Sequence, residues 1–388
     1  MSHRFDIGVA VLTAPFISKS VYTVGKKVVD IVSSICKTTI YISGNIPTDI
    51  EWPEEVVLRD VGFTIPDLRK RKPLLFFVML WAFKNYFVQV LMAVDIFRFR
   101  DQIEIIVCFS GNQYQIPILI SKALGKKVIC GSAGIGGHYA KYSYGDIWEK
   151  IALFTTKFNF YLSDVVVIES SLLTENKTLM KWKNKLRNGA LYLDDIELFS
   201  IEVPIIQRGH EIGFIGRFSS EKGILEFLDA IPAIIEIIPH VEILLIGSGP
   251  LDNMVDEIIG ISECKENIRR LSWVDHKELP VYLNKMKLLV IPSKSEGLPN
   301  IIFEAFGCGT VVLASPVGGV PEIVIDGETG FLIHNISPEA FAFQIAEILQ
   351  MDSKLNEITK RAKDLLQKDY LMDSAIDRYS LIVKELIS

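Results

Sequence analysis

Residues 287–332, KLLVIPSKSEGLPNIIFEAFGCGTVVLASPVGGVPEIVIDGETGFL, run twice through one pattern: a short apolar run, a turn rich in small residues, and the opening of a helix. The first run, residues 288–292, leads through a Ser/Gly turn into a helix whose first turn carries Pro299 and Asn300. The second, residues 310–314, delivers Gly318 and Gly319 to a helix starting near Val320. Two β-loop-α units in succession constrain the fold to a parallel sheet with helices packed on it. In doubly wound sheets ligands bind in the loops after the carboxyl ends of the strands, where helix N-termini present unpaired N–H groups.

The same alternation fills the first half of the chain. Residues 5–12, 38–42, 103–109, 127–130 and 164–168 are short runs rich in Val and Ile, with helical segments between most of them. At 388 residues there is room for two domains with separate cores. The irregular stretch 194–207 marks the boundary, giving domains over 1–200 and 201–370. Residues 338–386 are helical by their apolar spacing. A net charge of −6 offers nucleic acid no basic footprint. Cys36, Cys108, Cys130, Cys264 and Cys308 are scattered without metal-ligand spacing and read as reduced thiols of a cytosolic protein. The opening MSHRFDIGVAVL lacks the apolar core and cleavage site of a signal peptide, so a cytoplasmic location is expected.

Four charged residues stand out. In EIGFIGRFSSEKGILEFL the strand ends at Gly216, and the loop before the next helix carries Arg217 and Lys222. Guanidinium and ammonium beside helix N–H groups suit a diphosphate, unless they are simply solvated loop charges. Glu296 lies in the loop after residues 288–292 and Glu304 about one turn into the following helix, so both can face one crevice. Such carboxylates accept hydrogen bonds from sugar hydroxyls, or else they are a loop acid and a helix-surface acid. The neighbours Ile302, Phe303, Ala305 and Phe306 make an exposed acid face at Glu304 hard to draw. Gly247 opens a Gly-Ser-Gly turn that invites comparison with a dinucleotide fingerprint, but Asp252 stands where the third glycine belongs. Ser272, Trp273 and Val274 form a lip suited to a nucleotide base.

SEGLPNIIFEAFGCGTVVLAS followed by GGVPEIVIDGETGFL resembles the nucleotide-sugar site of retaining glycosyltransferases, in particular glycosyltransferase family 4, and the likeness extends over residues 211–332. The resemblance implies a GT-B fold: two Rossmann-like doubly wound domains facing a deep interdomain cleft, with the last helix, residues 371–388, crossing back to the first domain. It implies that a hexose-type sugar passes from a nucleotide diphosphate sugar to a glycan or lipid-linked acceptor, with retention of configuration. On it, Glu304 binds the ribose, Glu296 a sugar hydroxyl, and Arg217 and Lys222 the diphosphate. Gly216, Gly247, Val274, Gly297, Leu298, Pro299, Asn300, Gly318 and Gly319 complete the donor site. Relatives often carry a histidine where GSAGIGGHYAKYSYG places His138, which is either a catalytic group or a loop histidine. The first loop of the family usually holds a Gly-Gly pair, and Ala14, Pro15, Ser18 and Ser20 stand there instead. No Asp-x-Asp triplet occurs in the chain, so no metal cofactor is expected. A nucleotide-sugar 2-epimerase of similar fold, or a noncatalytic nucleotide-sugar-binding protein, are the competing readings.

Residues 69–101, RKRKPLLFFVMLWAFKNYFVQVLMAVDIFRFRD, place four cations ahead of a long apolar run. A span of about 20 apolar residues would cross a bilayer, but strands on either side belong to one sheet. The segment is therefore either a core helix or an interfacial one, with its cations on an anionic membrane surface.

Overall fold

The computed structural model describes residues 4–13, 19–44, 46–48, 50–62, 74–109, 113–132, 146–168, 180–189, 192–209 and 211–388. The chain divides into two units, Met1–Ala190 with Met372–Ser388, and Leu191–Leu371.

The first unit holds a seven-stranded sheet in the order β3-β2-β1-β4-β5-β6-β7. Its strands are β1 Phe5–Leu12, β2 Cys36–Ser43, β3 Val56–Asp60, β4 Ile105–Phe109, β5 Lys127–Ser132, β6 Val165–Ile168 and β7 Leu186–Asn188. Every pairing is parallel. Continuous apolar runs such as those of β1 and β4 follow from burial on both faces of a parallel sheet. Leu12, Ile40 and Ile106 are fully buried, and truncating one of them to alanine costs about 2–5 kcal/mol. Two strands escape the periodicity argument. In β3 only Val56 is buried, so its residues do not form an apolar run, and β7 has three residues at an edge, where Asn188-Gly189 reads as a turn. The helix Met372–Ile387 belongs to this unit: Arg378 donates to the Gly189 carbonyl at 2.8 Å, and Arg187 pairs with Glu385.

The second unit holds a six-stranded sheet, β8 Glu211–Ile215, β9 Glu242–Ile246, β10 Ile268–Leu271, β11 Leu288–Ile291, β12 Val311–Ala314 and β13 Phe331–Leu332. The order is β10-β9-β8-β11-β12-β13, all parallel. Strand alternation divides the side chains between two cores. Ile243, Leu245, Leu288 and Val290 join the helices Ile224–Ile237 and Pro338–Leu349. Leu244, Ile246, Leu289 and Ile291 join Asn300–Gly307 and Asp352–Asp369. The division between units falls before residue 200, where irregularity of the sequence put it. Phe199 is fully buried in the second core, and the Leu193 N–H donates to the Tyr370 carbonyl at 2.9 Å, so residues 192–200 fold with the second unit.

Candidate functional site

In the second unit, chain order runs outward from β8 through β9 to β10 on one side, and through β11 to β13 on the other. The switch lies between β8 and β11, where the connections leave in opposite directions and open a crevice at the carboxyl ends. The loops that follow these two strands carry Arg217 and Lys222, and Glu296.

The structure brings Lys222 and Glu296 together across this switch. The Lys222 Nζ donates to both carboxylate oxygens, at 2.7 and 2.9 Å, and Ser293 Oγ donates to Glu296 Oε1 at 2.6 Å. The Glu296 side chain is 9% exposed and that of Lys222 31%. The loops are also joined by backbone, Lys294 N–H to Glu221 carbonyl at 2.9 Å. Lys222 is thus held in place by an acid, so the pair adds no net charge. The excess positive charge of the trio comes from Arg217, which is exposed directly after Gly216, whereas Phe218 is fully buried.

The remaining loops join in sheet order. The Gly216 N–H donates to the Ile246 carbonyl at 3.0 Å and the Gly247 N–H to the Leu271 carbonyl at 3.1 Å. Gly247 has φ +150°, and a Cβ there would lie 1.9 Å from the Gly216 carbonyl oxygen. On the other side Gly318, at φ +59°, lies so close that a Cβ would be 2.1 Å from the Glu296 carbonyl oxygen. Only glycine combines that conformation with that approach. The Gly319 N–H donates to the Gly297 carbonyl at 2.7 Å. The Gly319 N–H is thus engaged within the rim. Together these contacts make the carboxyl-end loops of β8, β9, β11 and β12 a continuous rim.

Glu304 is 8% exposed in the helix Asn300–Gly307, as its apolar neighbours demanded. Its Oε1 lies 2.9 Å from His276 Nε2. His276 is exposed on the loop after β10, with its ring 5.1 Å from that of Phe199. The two acids of the pair therefore have different basic partners from different loops. Leu298 is buried and Pro299 precedes the helix. At the helix start the Asn300 Oδ1 is buried without a hydrogen-bond partner. Val274 is half-buried against the second core, while Trp273 is 57% exposed. Asp252, in place of a third fingerprint glycine, accepts from Ser248 Oγ at 2.5 Å and from Arg270 at 2.9 Å. The Ser248 bond, with help from Gly249 and Arg270, holds its carboxyl below the ordinary value. In this role Asp252 braces its own turn. His138, Ala14, Pro15 and Ser18 lie outside the described residues.

His276 and Ser293 are the polar groups that sequence reasoning missed. His276 is a single loop residue two positions beyond the lip at Ser272, Trp273 and Val274, while Ser293 could have been found from its Ser-x-x-Glu spacing to Glu296.

Residues 209–351 match the family described as Glycosyl transferases group 1. The capsular polysaccharide biosynthesis glycosyltransferase CapM of Staphylococcus aureus is 26% identical over 256 residues, 63% of this chain and 67% of CapM. Sucrose-phosphate synthase from Thermosynechococcus elongatus superposes with a TM-score of 0.75 at 17% identity, covering 98% of this chain and 99% of that one. HepE of Anabaena, solved in complex with UDP-glucose, gives 0.71 at 14% identity, covering 98% and 100%. The fold of the chain is GT-B.

Proposed function

We propose that this chain, a glycosyltransferase of group 1, moves a hexose-type sugar from a nucleotide diphosphate sugar to a glycan or lipid-linked acceptor, retaining configuration and using no metal. The observation that carries the reading is the ion pair Lys222–Glu296 closing the β8/β11 switch point, with Arg217 exposed beside it.

Breaking the anomeric C–O bond leaves negative charge on the departing diphosphate. Arg217 meets that charge with a planar fork, and Lys222, held by Glu296 through two of its N–H groups, keeps the third as a donor to a phosphate oxygen, so on this reading no divalent ion is needed. Glu304 offers its carboxylate to the ribose hydroxyls, with His276 fixing one oxygen. Glu296 retains lone pairs for a sugar hydroxyl beyond those engaged by Lys222 and Ser293. The nucleotide in HepE makes UDP-glucose the first donor to test, and the capsular role in CapM's name favours a glycan acceptor.

The test is a panel of nucleotide sugars scored by thermal stabilisation. The true donor at 100 times its Kd should add about 2.7 kcal/mol. That donor should then be turned over only when acceptor is present, and equally well in EDTA. Interconversion of the free nucleotide sugar without acceptor would make the protein an epimerase. Loss of transfer on chelation, restored by magnesium or manganese, would overturn the metal-free mechanism.

A further inference from the structure

The helix Leu74–Arg98 covers the first sheet with only one side. Val88, Met92 and Ile96 are buried against Leu12, Ile40 and Ile106. The opposite side keeps the helical spacing and is just as apolar: Phe76, Met79, Phe83, Val90, Val94 and Phe97 are all exposed, Phe83 by 70%. The stripe runs nearly the whole helix and reaches beyond it. Trp81 meets Trp148 edge to face at 5.7 Å, and the helix Asp146–Leu162 then exposes Phe154 by 72% and Tyr161 by 73%. Apolar patches of this extent mark an interaction site in soluble proteins.

Charge selects the partner. On Leu74–Arg98 the only acid is Asp95, which is buried and paired with Arg59 at 2.9 Å. The exposed end of the helix carries Arg98, and Arg100 follows, its guanidinium 4.6 Å from the Phe97 ring centre and 3.5 Å from the exposed carboxylate of Asp101. On the second helix exposed Lys150 and Lys157 stand on either side of Phe154, with Glu149 half-buried next to Lys150. A chain of net charge −6 thus sets the exposed Arg98, Lys150 and Lys157 beside this apolar face. Aromatic and aliphatic groups between cations are what an anionic lipid surface binds: rings enter the headgroup boundary while ammonium and guanidinium meet phosphate.

We infer that the outer face of Leu74–Arg98 and Asp146–Leu162 rests on an anionic bilayer surface. The helix lies in the plane of the membrane rather than through it, since Val88, Met92 and Ile96 remain on the sheet. The cations Arg69, Lys70, Arg71 and Lys72 lie outside the described residues. Seating on a membrane fits a lipid-linked acceptor, a corollary that rests on the glycosyltransferase reading; the surface itself does not.

The experiment is flotation of the full chain with phosphatidylglycerol/phosphatidylcholine vesicles and with pure phosphatidylcholine vesicles, beside ultracentrifugation without lipid. The wild type should bind the anionic vesicles, bind phosphatidylcholine less, and release partly in high salt. The double variant Phe83→Glu, Phe154→Glu replaces exposed side chains, so it should melt as the wild type does while partitioning at least about tenfold more weakly. Failure of the wild type to bind either vesicle, or equal binding by the variant, overturns the inference. So does a lipid-free dimer that the double variant dissociates, which would give the face to a second copy. Vesicle binding by a protein that fails the donor panel would keep this surface and reject the sugar-transfer reading.

Discussion

At the carboxyl end of the second sheet the two site acids each meet a base: Glu296 meets Lys222, and Glu304 meets His276. At the amino end, Glu211 and Glu242 are register partners at the starts of β8 and β9, and the Glu211 Oε1 is buried without a hydrogen-bond partner. The amino end also has a cavity of about 420 Å³ lined by Val203, Arg208, Glu211, His240, Glu242 and Lys285 among others. A cavity by itself would invite a ligand there. Chemistry puts it at the other end, because the cavity's strongest cation is already spent. Arg208 is 6% exposed and donates to the carbonyls of Val203, Leu283, Met286 and Cys308. Burial lowers its pKa to about 10, still leaving it protonated at neutral pH. It acts as a clamp on the base of the sheet, while Arg217 stays exposed on the rim.

The strongest way to break this comparison is to remove charge from the rim. Arg217→Ala and Glu304→Ala should each lower kcat by about 10²–10³ while the protein stays folded, as removal of one preorganised contact does. Turnover near wild type in either variant, on the true substrates, would move the site away from this end. A smaller effect is expected from Gly318→Ala, which touches no charge. Its Cβ would meet the Glu296 carbonyl oxygen at 2.1 Å with φ at +59°, so the turn must shift and carry Glu296 with it. Strain of about 1–3 kcal/mol is expected, and misplacement of this kind can cost about 10² in rate. A Gly318→Ala protein with unchanged melting and kcat would show that the rim is not the rigid unit its contacts describe.

How much of this was readable beforehand depended on distance along the chain. Burial of Glu304 was legible because Ile302, Phe303, Ala305 and Phe306 leave its helix no polar face. Lys222 and Glu296 were each legible from their position after an apolar run. Their bond was not, because it joins residues 74 positions apart and depends on β8 and β11 being neighbours. His276 gave no local signal for the same reason, as its partner Glu304 lies 28 positions away, whereas Ser293 stands only three positions before Glu296 and its bond is local. Strand β7 was lost because three edge residues cannot establish a period. In Leu74–Arg98 the sequence showed apolar residues all round, and only the packing divided them into a face on the sheet and a face in solvent.

The smallest expected effect sharpens the comparison from the amino end. Burial raises the Glu211 pKa above its ordinary value, Glu242 adds to the rise, and Lys285 and Arg269 only partly oppose it. An acid whose pKa is higher folded than unfolded binds its proton more tightly in the native state. Its contribution to stability is therefore full at low pH, below the unfolded value, and is lost as pH rises through the folded value. Glu211→Gln imitates the protonated form. At pH 8 the variant should melt above the wild type, and the gap should close as pH falls below the ordinary carboxylate range. Catalysis should not change, because Glu211 lies at the opposite end of β8 from Arg217. A lower melting temperature for Glu211→Gln at pH 8 would mean that the charged carboxylate has a stabilising partner at this end after all. A fall in kcat would mean that the amino end takes part in the chemistry now assigned to the rim.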